Sequence, residues 1–166
     1  MRKTISILTS ALMAMSLTAA PSYAHEFKLG DLQIKHPWSR ATPKSAKVGG
    51  GYLTVINHGT MPDRLVSVSS PAAGKVELHQ MTVQDGIMTM RPLPDGITIE
   101  PGKTVAFAPG GLHIMFLDLA APFEQGKAFA AKLIFENAGE VDVRFAVEAI
   151  GTREGPDHHG PGGHGR

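Results

Sequence analysis

From Leu32 onward, apolar and polar residues alternate in short runs that are cut by Gly, Pro, Asn and Asp. Strict alternation places every second side chain on one face, which is the mark of a half-buried strand. The pattern predicts strands at Leu32–Lys35, Tyr52–Asn57, Leu65–Ser69, Val76–Val83, Ile87–Met90, Ile97–Ile99, Thr104–Phe107, His113–Asp118, Phe129–Phe135 and Val141–Ala149. No segment carries a sustained helical period, and no internal repeat is visible. Asp85-Gly86 sits between two runs as a two-residue hairpin turn. If Gln84 faces Ile87 across it, Met81 faces Met90 and His79 faces Pro92.

Many short strands with turn residues between them predict an all-β domain, a β-sandwich or Greek-key barrel. Its core is expected from Leu53, Val55, Leu65, Val68, Ile114, Phe116, Leu133, Phe135, Val143, Phe145 and Val147. About 125 residues of β-domain bury enough apolar surface to fold without covalent staples.

The two ends break the pattern. Arg2 and Lys3 precede an uncharged apolar stretch, Ile5 to Ala20, followed by Pro21-Ser22-Tyr23-Ala24. A basic start, a short apolar run and small residues at the cut describe a secretory signal over residues 1–24, cleaved after Ala24. The run is too short for a comfortable membrane span, so no stable membrane insertion is expected. With no cysteine at the cut, a cysteine-linked lipid anchor is not expected either. Residues 151–166 carry His158, His159 and His164 among Gly and Pro, with almost no apolar side chain beyond proline. We read them as a flexible His/Gly-rich tail behind a folded domain at 25–150.

Charge and cysteine content narrow the chemistry. Without Arg2 and Lys3 the chain holds 14 basic and 15 acidic residues, a net charge of −1 with histidine neutral. Such a surface has no broad attraction for nucleic acid or anionic lipid. The chain has no cysteine, so methionine is its only soft metal donor. Against that background the runs His79-x-Met81 and His113-x-Met115 stand out, each with both side chains on one strand face. The hairpin register adds Met90, and Met88 shares that face nearer the turn. Imidazole suits copper, zinc, iron and nickel, and thioether adds a preference for Cu(I). Met81 reads as a hydrophobic rim residue or an extra donor. No serine, cysteine or paired-carboxylate arrangement suggests a nucleophile or an acid–base pair, so the expectation is a binding protein and not an enzyme.

Three stretches carry a family resemblance. They are Val76-Glu77-Leu78-His79-x-Met81, Asp85-Gly86-x-Met88-x-Met90-Arg91-Pro92 and Pro109-Gly110-Gly111-x-His113-x-Met115. With His36-Pro37-Trp38-Ser39-Arg40-Ala41 and Gly50-Gly51-Tyr52-Leu53-Thr54, they resemble the periplasmic copper chaperones called PCu(A)C, over most of residues 31 to 150. Ten residues separate His79 from Met90, and twenty-two separate Met90 from His113. The resemblance implies a cupredoxin-like β-barrel and Cu(I) held by His79, Met90, His113 and Met115. It also implies a periplasmic location and delivery to a copper acceptor, a cytochrome oxidase subunit with its dinuclear copper centre or an assembly factor for it.

Other assignments remain open at this level. The tail histidines His158, His159 and His164 form a candidate site for the harder Cu(II). A copper store or resistance protein has the same features as a chaperone. After cleavage His25 becomes the N-terminal residue and can chelate Cu(II), which leaves a copper enzyme as a further alternative. A structural β-domain with an incidental methionine patch is the bland one.

Overall fold

The computed structural model describes residues 26–155. The signal segment, His25 and the tail histidines His158, His159 and His164 lie outside the described residues. Within them the chain forms eleven strands and no helix: β1 (Glu26–Leu29), β2 (Leu32–Arg40), β3 (Val48–Asn57), β4 (Asp63–Ser69), β5 (Ala73–Gln84), β6 (Ile87–Pro92), β7 (Ile97–Ile99), β8 (Thr104–Phe107), β9 (Leu112–Leu119), β10 (Ala128–Phe135) and β11 (Gly139–Glu148). No helix among the described residues is long and apolar enough to cross a membrane.

Hydrogen bonds run through the sheet in the order β6-β5-β9-β3-β2-β11-β10-β4-β7, with β1 added to β2 and β8 to β3. The path curls so that β4 packs beside β5, but no ladder joins them. An apolar groove between Val66, Val68, Val76, Leu78 and Leu93 marks this opening. The architecture is an open, curled β-sandwich. All eleven expected core residues are buried, joined by Leu32, Ile34, Leu78, Ile97, Ile99, Phe107, Leu119 and Phe123.

The alternation expected for this strand ends at Lys35, two residues before Pro37. In the structure β2 continues to Arg40. His36 takes a left-handed conformation (φ 48°) and the register with β3 slips between Lys35 and Trp38. Pro37 therefore sits in a bulge, where its missing N–H costs no ladder bond. Beyond the bulge β2 pairs in parallel with β11, Trp38 with Ala146 and Arg40 with Glu148.

β3 also starts earlier than expected, and Gly49-Gly50-Gly51 lies inside it. A Cβ on Gly49 would meet the Phe123 ring at 2.6 Å, and one on Gly51 would meet Phe116 at 2.6 Å. On the opposite face a Cβ on Gly50 would meet the Tyr52 hydroxyl at 2.8 Å. The glycines give these rings room on both faces of the strand. Phe116, Phe123, Phe129 and Phe145 fill the core side, with Phe116 edge-on to the other three at 5.1–5.8 Å.

Two features place the site. One edge of β3 is shared: β9 pairs with Val48–Gly51 and β8 with Leu53–Ile56. The chain between β8 and β9 loops out at Pro109-Gly110-Gly111, with Gly110 at φ 86°. The other is the β5–β6 hairpin. Asp85 (φ 51°) and Gly86 (φ 78°) both lie in the left-handed region, the signature of a type I′ turn. Gln84 faces Ile87, Met81 faces Met90 and His79 faces Pro92, the register expected from the turn.

Candidate metal centre

β5 and β9 are antiparallel neighbours, and their register sets His79 directly opposite His113 and Glu77 opposite Met115. Alternation then puts His79, Met81, His113, Met115 and Met90 on one face of the sheet. The intervening Leu78 and Ile114 point the other way, into the core. A groove on this face is lined by Arg40, Tyr52, Met81, Met90, His113 and Met115, with Pro109 and Gly110 of the loop at its rim. The two imidazole centroids are 5.8 Å apart. Two imidazoles sharing an ion at about 2.0–2.1 Å bring their centroids to about 5–6 Å, so the spacing fits one metal between them.

The tautomer of each neutral ring follows from its partner. His113 Nδ1 lies 2.9 Å from the carbonyl oxygen of Gly111. A carbonyl only accepts, so Nδ1 carries the proton and Nε2 carries the lone pair. His79 Nε2 lies 2.7 Å from Glu77 Oε2, a carboxylate that only accepts when ionised. There Nε2 carries the proton and Nδ1 the lone pair. Both lone-pair atoms, His113 Nε2 and His79 Nδ1, are buried without a hydrogen-bond partner. A buried acceptor left unpaired costs about 1–3 kcal/mol. Two of them on facing rings, each with its other nitrogen anchored on an oxygen, is the arrangement that holds imidazole ready for a metal.

The anchors are themselves held. Gly111 O also accepts the N–H of Met81 at 3.0 Å, which ties the loop to the hairpin. Glu77 is bonded to Lys75 as well as His79, and the Lys75 and then the His79 hydrogen bonds hold its carboxyl below the ordinary range. This Lys75–Glu77–His79 chain was not anticipated from sequence. The signal was available, because Glu77 lies two residues from His79 on the same strand face.

The far wall is aromatic. Tyr52 faces Trp38 across β2 and β3, their ring centroids 4.6 Å apart. The Arg40 guanidinium lies 5.9 Å from the Tyr52 centroid, and its Nε donates to Thr152 O at 2.5 Å. Burial pushes the Tyr52 phenol up against the opposing charge of Arg40.

Among the described residues no group of three His, Asp or Glu side chains converges. A hard-cation site is not what this face offers; two imidazoles and, with Met88, four thioethers are. His113 is 5% exposed, whereas Met90 is 46% exposed, so the groove grades from buried nitrogen to accessible sulfur.

Fold and groove define a cupredoxin-like β-sandwich of the PCuAC class. Over 75% of this chain and 98% of its own length, the copper-bound PCuAC domain from PmoF2 superposes with a TM-score of 0.66 at 34% identity. Among curated proteins, a putative lipoprotein of Leifsonia xyli subsp. xyli is 31% identical over 117 residues, 70% of this chain and 69% of its own. An uncharacterized protein of Rickettsia prowazekii is 31% identical over 114 residues, 67% of this chain and 63% of its own. The model of the LpqE-like family, described as putative lipoprotein LpqE-like, matches residues 32–147, and the chain belongs to that family.

Proposed function

We propose that this protein is an exported copper carrier. It binds one Cu(I) through His79 Nδ1, His113 Nε2 and the thioethers of Met90 and Met115, and hands the ion to an acceptor protein. The observation that carries the reading is the pair of buried, unpartnered ring nitrogens of His79 and His113 on the sheet face that also carries Met81, Met90 and Met115. The copper-bound state of a PCuAC domain 34% identical to this chain supports the choice of metal.

Copper is the cargo here, and the donor set suits a carrier. Imidazole and thioether are both neutral, so the bound ion keeps its single positive charge. The Glu77 carboxylate behind His79 fixes the orientation of that ring and offsets part of the charge. No thiolate holds the ion, so transfer to a cysteine-containing acceptor runs downhill. The acceptor we favour is the dinuclear copper centre of a cytochrome oxidase subunit, or an assembly factor that serves it. Export follows from the signal-like residues 1–24 and agrees with the lipoprotein name of the relative.

The test is an anaerobic Cu(I) titration against a chromophoric competitor. It uses a chain in which His158, His159 and His164 are changed to alanine, so that the tail takes no part. One equivalent of competed Cu(I), lost when Met90 and Met115 become leucine, is the expected result. No competition by the parent chain would contradict the reading.

A further inference from the structure

Four resting donors fill the coordination of one Cu(I), which leaves two methionines of the same face without a task. Met81 lines the groove with Met90, His113 and Met115. Its main chain and the His113 ring hang on one oxygen, that of Gly111. Met88 lies two residues from Met90 along β6 and pairs with Val83, on the face that carries Met81 and Met90. The ladder between β5 and β9 ends at Gln80 and Leu112. From Met81 outward the hairpin is therefore a two-stranded arm, and all six residues of β6 are exposed. Exposure rises from the resting site out along this arm, from 5% at His113 on β9 to 46% at Met90 and 69% at Met88 on β6.

An apolar side chain that stays 69% exposed gains little from burial, so packing does not explain a methionine at position 88. Residues two apart on a strand are about 6.5–7 Å apart, which two flexible thioethers span with one ion between them. A four-coordinate Cu(I) leaves a site by exchange, one new donor bond forming as an old one breaks.

We propose that Met81 and Met88 are exchange donors that carry Cu(I) between the resting site and the exposed end of the arm. The proposal rests on the copper-carrier reading. In each step a Cu–Sδ bond to Met81 or Met88 forms while a bond to a resting ligand breaks. The lone pair of the incoming sulfur replaces that of the outgoing donor, copper stays Cu(I), and no proton moves. At the end of the arm the acceptor's own donor replaces Met88. Neither thioether adds charge, so neither traps the ion.

The test compares Met81→Leu, Met88→Leu and the double variant with the parent chain. Thr89→Leu, on the opposite face of β6, serves as control. Far-ultraviolet circular dichroism checks folding. A bidentate chromophoric Cu(I) chelator is the acceptor, mixed with copper-loaded protein under anaerobic stopped flow, and equilibrium competition is read with the same chelator. We expect equilibrium affinity within about threefold of the parent in every variant, and a transfer rate about tenfold lower in the double variant. Thr89→Leu leaves both quantities unchanged. Parental transfer rates in the double variant would overturn the exchange role and leave the carrier reading standing. An affinity loss of about tenfold or more would make these residues resting ligands and also overturn it. If the parent chain itself fails to hold Cu(I), the carrier reading falls and takes this proposal with it.

Discussion

Two buried polar clusters of this sandwich obey opposite rules. Around Asn57 and Asp63, the side-chain groups are bonded. Asn57 Nδ2 donates to Met61 O and Ile99 O, and its Oδ1 accepts from Gly59 N. Asp63 accepts from the backbone of Arg64, Asn137 and Ala138 at 2.7–3.0 Å, which clamps the β10–β11 turn onto the start of β4. On the methionine-bearing face, His79 and His113 each use one ring nitrogen and leave the other bare. Arg64 Nε beside the first cluster also lacks a partner, but it is a donor with no lone pair to offer a metal. Satisfied polar atoms hold a fold together. A lone pair kept buried, oriented and unpaired is a standing cost that a bound cation would remove.

That contrast breaks first at Asp63. Asp63→Ala strips three backbone N–H groups of their acceptor and is expected to destabilise the fold by about 3 kcal/mol, measured by urea unfolding. His113→Leu removes an unpaired acceptor, while Met81 N still occupies Gly111 O. Its stability is expected to stay within about 1 kcal/mol of the parent, although Cu(I) binding is lost. A loss of several kcal/mol there would show that the ring serves the fold.

Copper sharpens the same comparison. Free Cu(I) at about a hundred times its dissociation constant raises the parent's unfolding free energy by about 2.7 kcal/mol. His113→Leu shows no such gain, and a variant at Asp63 that still folds keeps it. A smaller effect is expected at Glu77. Glu77→Ala frees the His79 ring to change tautomer and weakens Cu(I) binding about tenfold. Glu77→Gln keeps a neutral acceptor for the His79 Nε2 proton and loses less. Nitrogen-15 chemical shifts of the metal-free protein report the tautomer directly, and an unchanged His79 tautomer in Glu77→Ala would refute the positioning role. The smallest effect belongs to Arg40, whose charge lines the groove. Arg40→Gln is expected to tighten Cu(I) binding about twofold to threefold, more at low salt than at high.

Ten of the eleven strands, the core and the hairpin register were legible in the sequence because each rests on local patterning, whereas β1 lies ahead of the first expected strand. Alternation set the faces, and Asp85-Gly86 set the partner of Met81. The common face of His79, Met81, His113 and Met115 followed from the same alternation in the two His-x-Met runs. The parallel pairing of Trp38–Arg40 with Ala146–Glu148 joins segments far apart in the chain and leaves no local signal. Pro37 hid the second half of β2, because the bulge that tolerates it depends on the backbone of His36. The glycine run reads as open backbone until the rings that need its space are brought across from Phe116, Phe123 and Tyr52. Which nitrogen of each histidine stays bare depends on Glu77 and on the loop carbonyl of Gly111, and so on a contact made only in the folded chain.

The most direct test of the mixed imidazole–thioether site is X-ray absorption at the copper edge, on Cu(I)-loaded protein whose three tail histidines are alanine. A Cu(I) edge with sulfur scatterers together with imidazole nitrogen is expected. A shell of nitrogen and oxygen alone would contradict it.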